Sequence, residues 1–224
     1  EIFEQRTKNL GGRLLCLGRD FRVRSRPRGG FDYQGFGMRL KRLEMGLVGP
    51  HQRRNAALAL AALELLKESD FHFSEADLRD GLKSVSWPGR GEVFPGPPPL
   101  MLDGAHNPAA ALALAETLSG LDYNRIHLVL GIMDDKDIPR IMAPLLPHAQ
   151  ALYLTRPKYF RAADTAALAS AAAGFPGPAT RYPDVPAGIE AARAEAGPDD
   201  LILVTGSLFT VGEARSYLTG VPQD

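Results

Sequence analysis

Asp103-Gly104-Ala105-His106-Asn107-Pro108 sets a carboxylate and an imidazole three residues apart, directly after the apolar run Leu100-Met101-Leu102. An Asp in such a strand-to-helix turn can accept hydrogen bonds from a ribose hydroxyl. A His there can donate to an anion or relay a proton. Asn107 suits an N-cap and Pro108 the first helical position, so a turn-stabilising role for Asp103 and His106 stands beside the chemical one. Thr205-Gly206-Ser207-Leu208-Phe209-Thr210 repeats the pattern after Leu201-Ile202-Leu203-Val204. Gly206 permits close approach, and Ser207 is placed to cap a helix whose exposed N–H groups form an anion site or are simply capped. In Gly131-Ile132-Met133-Asp134-Asp135-Lys136-Asp137, Lys136 can pair with its acidic neighbours or meet a carboxylate substrate. Asn55, in Gly49-Pro50-His51-Gln52-Arg53-Arg54-Asn55, is expected in the first turn of a helix. Its amide there could bond a donor and an acceptor of an adenine edge, or could serve as a cap.

These residues need elements to hold them. Residues 52–68 read as a helix of strong helix formers, apolar nearly all round and therefore buried. Ser74, with Asp77 three residues on, predicts the N-cap of a second helix through about residue 83. Residues 13–17 and 20–24 read as short strands, and the glycine-rich tract 29–37 as a turn. Trp87-Pro88-Gly89-Arg90-Gly91 and Pro95-Gly96-Pro97-Pro98-Pro99 mark a joint that no helix can cross. Beyond it, strands at 100–102, 126–130, 151–154 and 201–204 alternate with helices near 108–119, 138–146, 164–173 and 209–219, with another helix near 187–196. Short apolar runs without alternation are strands covered on both faces. The expectation is an α/β chain: residues 87–224 as a doubly wound, mostly parallel Rossmann-like sheet, preceded by a separate region, 1–86. Ligands of such sheets sit beyond the carboxyl ends of the strands, which selects loops 103–107, 131–137 and 205–208.

Composition narrows the partners. The chain has 224 residues, 45% hydrophobic and 23% charged, enough for a core without staples. Lys plus Arg and Asp plus Glu number 26 each, a balance that argues against a nucleic-acid partner. The basic cluster Arg19, Arg22, Arg24, Arg26 and Arg28 reads as a solvated face. One cysteine, Cys16, offers neither a disulfide nor a metal-ligand spacing and reads as a small buried hydrophobe. No run is long and apolar enough to span a bilayer and no signal peptide opens the chain, so the expected compartment is the reducing cytoplasm. The opening Glu1 in place of a methionine suggests a fragment.

The ordered series His51-Gln52-x-x-Asn55-Ala56-Ala57, Trp87-Pro88-Gly89-Arg90-x-Glu92, Asp103-Gly104-Ala105-His106-Asn107-Pro108, Gly131-x-Met133-x-Asp135-Lys136-Asp137 and Thr205-Gly206-Ser207-Leu208-Phe209 resembles the folylpolyglutamate synthase/dihydrofolate synthase branch of the Mur ligase family. The resemblance implies an ATP-dependent ligase: ATP phosphorylates the carboxylate of a folate or dihydropteroate, and the amine of L-glutamate attacks the acyl phosphate. It also implies roles. Asn55 contacts adenine, Arg90 reaches the ATP phosphates, Asp103 binds the nucleotide, and His106 and Ser207 serve the glutamate and acyl-transfer side. Residues 1–86 become the tail of the central ATP-binding domain, and 87–224 the C-terminal domain. Arg90, in the joint, would be delivered to the nucleotide by domain closure. No Gly-x-x-x-x-Gly-Lys-Ser/Thr loop occurs here, so the phosphate cradle and the Mg²⁺ ligands are expected in a preceding half. The complete enzyme is expected to be a monomer, and this chain alone to be inactive. Two other readings remain: a different Mur-type amino-acid ligase, which shares the Asp-x-x-His-x-Pro turn, and a non-catalytic nucleotide-binding α/β module.

Overall fold

The structure, a computed structural model, describes residues 2–27 and 29–221; Arg28 of the basic cluster lies outside the described residues. The chain divides into two compact units, Glu1–Val85 and Ser86–Asp224.

The first unit begins with helix α1 (Ile2–Asn9), followed by an antiparallel meander of β1 (Arg22–Ser25), β2 (Phe31–Gln34) and β3 (Arg39–Leu43) and by helices α2 (Pro50–Leu66) and α3 (Glu75–Ser84). Phe31 and Tyr33 of β2, Leu40 and Leu43 of β3, and Ala56, Ala57, Leu60 and Ala61 of α2 make its core. The glycine-rich tract expected to be a turn therefore contains β2. Its Phe-Asp-Tyr-Gln alternates buried with more exposed positions, a strand period hidden between flanking glycines. Residues 13–17 form no strand. Their backbone is consumed locally: Asp20 N donates to Cys16 O at 2.9 Å, and Cys16 N to the Asp20 carboxylate at 2.7 Å. Cys16 is half-buried rather than buried. Helix α2 starts two residues earlier than expected and buries one face only, since Leu58 and Leu66 are exposed. Ser74 caps α3 in a reciprocal box with Asp77. Arg19, Arg22 and Arg24 of the basic cluster are exposed as expected, while half-buried Arg26 donates from Nη1 to both Asp32 oxygens at 2.9 and 2.8 Å.

The second unit is a six-stranded sheet in the order β4-β5-β9-β6-β7-β8. Its strands are β4 (Arg90–Phe94), β5 (Leu100–Asp103), β6 (Ile126–Leu130), β7 (Ala149–Leu154), β8 (Ala179–Arg181) and β9 (Leu201–Thr205). All are parallel except β4, which runs antiparallel to β5 at one edge with an irregular register between Arg90 and Glu92. Helices α4 (Pro108–Leu118), α5 (Ile138–Met142) and α6 (Thr165–Ala171) cover one face, where Met101, Leu128, Leu130, Leu152 and Leu203 are buried. Helices α7 (Val185–Glu195) and α8 (Leu208–Thr219) cover the other, over Leu102, Val129, Tyr153, Ile202 and Val204. Burying such a side chain is worth about 1.5–3 kcal/mol, so both faces contribute to holding the sheet. β4 and β8, at opposite edges, went unread in the sequence. β8 has three residues, all exposed, and β4 hides in the Pro/Gly joint. Helix α5 stops at Met142, and a single 3-10 turn, Leu146–His148, leads into β7.

Beneath α7 a polar chain runs from buried Asp200, His127 and Tyr153 out to exposed Glu195. His127 Nε2 stands 3.3 Å from Asp200 Oδ2, its Nδ1 stands 2.9 Å from the Tyr153 hydroxyl, and that hydroxyl donates to Glu195 at 2.8 Å. Burial works against the Asp200 charge, but the Gly197 N–H, His127 and Arg125 together hold its pKa below the usual range. A carboxylate depressed on folding adds stability that is complete above its unfolded value, about 4, and is lost as pH falls through the lower folded value. Asp200→Asn is therefore expected to remove part of the acid dependence and to lower stability at neutral pH by about 3 kcal/mol. Urea titrations at pH 2–7, followed through the β6 and β9 amides, measure both. An acid profile identical to that of the unmodified chain would refute the assignment.

Candidate active site

Three turns meet at the carboxyl end of the central strands of the second unit. The first follows β5. Asp103 Oδ1 accepts from Ala105 N and Oδ2 from Gly91 N, each at 3.0 Å. His106 Nδ1 lies 2.8 Å from Gly104 O, so Nδ1 carries the proton and donates, which directs acceptor character to Nε2 in the neutral ring. Asn107 Oδ1 caps α4 through Ala110 N at 2.9 Å, with Pro108 at the first helical position.

Arg90 opens β4 and pairs in register with Asp103. Its backbone is fixed on both sides: Arg90 N donates to Trp87 O, and Gly104 N donates to Gly89 O at 2.8 Å. Glu92 accepts from Gly89 N at 2.8 Å and from Arg215 Nε at 3.0 and 3.2 Å. The joint expected to carry Arg90 thus ends before it; Arg90 is part of the sheet. Its guanidinium makes no ion pair among the described residues.

The second turn follows β9. Gly206 sits at φ 108°, and a Cβ there would stand 2.7 Å from Gly131 O, so only glycine fits this approach. Ser207 is buried and caps α8, accepting from Thr210 N at 3.0 Å. The Thr210 hydroxyl donates to Gly131 O at 2.7 Å, which leaves Ser207 to donate to Thr210 Oγ1 at 2.8 Å. The Ser207 proton is thereby engaged inside the chain. The turn also touches the first one, since a Cβ on Gly104 would stand 2.6 Å from Leu208 Cδ2. Thr205 Oγ1, buried at the end of β9, has no hydrogen-bond partner among the described residues.

The third turn follows β6. Lys136 pairs with Asp135 at 2.6 Å, which holds the Asp135 carboxyl below its ordinary pKa, and Asp137 caps α5. Arg90, Asp103, His106 and Ser207 are thus gathered at one sheet edge. Asn55 belongs to the first unit. It is exposed in the second turn of α2, and its Nδ2 donates to Gln52 Oε1 at 3.0 Å, leaving one amide proton and Oδ1 available. Sequence reasoning passed over Thr205, Thr210 and Arg215. Thr210 was findable as the third residue after a capping Ser207.

Residues 89–208 match the family described as Mur ligase, glutamate ligase domain. A probable bifunctional folylpolyglutamate synthase/dihydropteroate synthase of Halobacterium salinarum is 42% identical over 180 residues, which is 79% of this chain and 21% of that protein. Folylpolyglutamate synthase of Mycobacterium tuberculosis complexed with ADP superposes with a TM-score of 0.89 at 30% identity, covering 99% of this chain and 53% of that one. E. coli FolC in complex with DHPP and ADP superposes at 0.87 and 28% identity, covering 97% and 50%. The chain spans about half the length of these two solved structures.

The hydroxyl relay is testable by itself. Thr210→Val leaves the Gly131 carbonyl and the Ser207 hydroxyl proton without their partner, and is expected to destabilise the second unit by about 1–3 kcal/mol. Thr210→Ser keeps the hydroxyl and is expected to cost less. Urea midpoints in the order unmodified, Ser, Val bear this out; equal midpoints for Ser and Val would show that the relay contributes nothing.

Proposed function

We propose a function from one premise: the chain belongs to the Mur ligase family, and residues 89–208 match its glutamate ligase domain. The reading is the C-terminal part of an ATP-dependent ligase that joins L-glutamate to folate or dihydropteroate through an acyl phosphate. Residues 1–86 are the tail of its central ATP-binding domain, and 87–224 its C-terminal domain. It works as a monomer in the cytoplasm. The observation that carries this reading is the pairing of Arg90 with Asp103 at a sheet edge that also holds His106.

Each side chain has chemistry to match. A guanidinium on a fixed strand, with no ion pair among the described residues, is a preorganised clamp for phosphoryl oxygens as charge develops on them. Asp103, an acceptor-only carboxylate held at the strand end by Gly91 N and Ala105 N, is of the type that accepts from a nucleotide hydroxyl. The glutamate ammonium must lose a proton before its nitrogen can attack, and His106 Nε2, with Nδ1–H anchored on Gly104 O, is oriented to accept it. Ser207 holds the α8 N-terminus in place rather than reacting, because its proton is already engaged. Asn55 retains a donor and an acceptor for an adenine edge. Among the described residues no group of three or more His, Cys, Asp or Glu could hold a metal ion, so the Mg²⁺ that accompanies ATP is assigned no ligand here.

In the complete ligase, Arg90→Ala is expected to lower kcat by about 10²–10³-fold with little change in melting temperature. His106→Gln should slow amide formation while acyl phosphate and ADP still form. Steady-state kinetics, ADP release without glutamate, and melting curves separate these effects. If Arg90→Ala and His106→Gln both melt early yet keep normal kinetic constants, the residues are scaffold and the site is misassigned.

A further inference from the structure

Among the described residues of the second unit, five aliphatic hydroxyls are buried, on Thr117, Thr155, Thr205, Ser207 and Thr210. Four of them are committed inside the chain. Thr117 donates to Ala113 O at 2.8 Å, Thr155 to Leu130 O at 2.9 Å, Thr210 to Gly131 O at 2.7 Å and Ser207 to Thr210 Oγ1 at 2.8 Å. Thr205 is fully buried, and its Oγ1 has no hydrogen-bond partner among the described residues. It is the exception, and it stands at the end of β9, one residue before the Gly206-Ser207 turn of the site.

The fold has no need of this oxygen. Valine has the same β-branched shape and suits a strand as well as threonine does. The Thr205 carbonyl is paired without help from its side chain, accepting from Gly131 N at 3.2 Å. A buried hydroxyl without a partner carries a desolvation penalty that an apolar group of the same shape avoids. Register says which neighbour the oxygen can serve. Thr205 pairs with Asp103 of β5 on one side and with Leu130 of β6 on the other. Leu203 and Met101, each two residues earlier in their strands, are buried together on the α4 face, so Thr205 and Asp103 share that face. Neighbouring strands lie about 4.8 Å apart. Of the two flanking side chains, Leu130 offers no acceptor and Asp103 offers a carboxylate.

We infer that Thr205 is a positioning residue of this site: its hydroxyl turns to donate to the Asp103 carboxylate when that carboxylate accepts a nucleotide hydroxyl. The inference rests on the nucleotide role given to Asp103 above and adds a residue that reading does not contain. Asp103 already takes Gly91 N and Ala105 N, one on each oxygen. A third donor arrives from β9, on the opposite side of β5 from β4. It fixes the plane of the carboxylate and favours the ionised form, which is the acceptor a ribose hydroxyl requires. Staggered positions about χ1 let the hydroxyl change direction with no movement of the backbone. The penalty carried by the free site disappears on binding, so this hydroxyl lowers stability and raises affinity.

In the complete ligase, Thr205→Val is expected to melt at or above the temperature of the unmodified enzyme while weakening the Kd for ATP about tenfold. Turnover at saturating ATP and the KM for glutamate should stay nearly unchanged. Thr205→Ser keeps the hydroxyl and is expected to restore most of the ATP affinity. Adding Thr205→Val to Asp103→Ala should weaken ATP binding no further, because the hydroxyl acts through that carboxylate. Calorimetric titration with ATP and melting curves on the four variants read these effects. A Thr205→Val enzyme that binds ATP normally overturns the inference, whatever its melting temperature. A serine variant no better than valine, or additive losses in the double variant, overturns it as well. Normal ATP binding by Asp103→Ala removes the nucleotide role of Asp103, and the inference falls with it. A complete protein that binds ATP but adds no glutamate overturns the functional reading instead, and the same Kd values still decide the role of Thr205.

Discussion

One carboxylate organises the sheet edge. Asp103 takes a backbone N–H on each oxygen, from Gly91 and from Ala105, and so ties the edge strand β4 to the turn that begins α4. Hydrogen bonds to an ionised acceptor are about twice as strong as neutral ones, and these two hold backbone that would otherwise lie in an irregular stretch. With Gly91 fixed, Arg90 is fixed. With Ala105 fixed, Gly104 O lies where His106 Nδ1 can reach it. The Glu92–Arg215 pair then ties β4 to α8 on the opposite face. Arg90 is therefore tied to Asp103 within the second unit.

The sheet was legible because its central strands are short unbroken apolar runs, and because each helix after them begins with a residue that announces itself. Asn107, Asp137 and Ser207 all cap as their types suggest. What escaped were elements whose pattern is too brief or too interrupted. β2 has four residues between glycines, β8 has three, and β4 begins in a Pro-Gly segment that reads as a break. Helix α2 failed differently. Its Ala/Leu composition marks a strong helix former but not which sides are covered, and Leu58 and Leu66 are exposed.

The site divides along the same line. Asp103, His106 and Ser207 could be placed at the carboxyl edge of the sheet because the strand-end rule and N-cap chemistry agree on them. That Ser207 has its proton engaged, or that Arg90 is a strand residue, depends on partners far away in sequence, such as Gly131 for Thr210 and Asp103 for Gly91. Thr205 was passed over for a physical reason: a threonine ending an apolar strand looks like any β-branched strand residue until its hydroxyl is seen to lack a partner among the described residues.

The two ends of the sheet bear on a different hazard. A parallel sheet with strands as apolar as β6 and β9 would readily recruit other chains if such strands lay at its margin. Here both are central and fully buried. At one margin β4 has an irregular register and runs into Pro95 and the Pro97–Pro99 run, which lack the N–H groups an added strand would need. At the other, β8 offers three residues ending in Arg181. Neither margin is a template for amyloid-like growth, so aggregation of this unit has to begin with its unfolding.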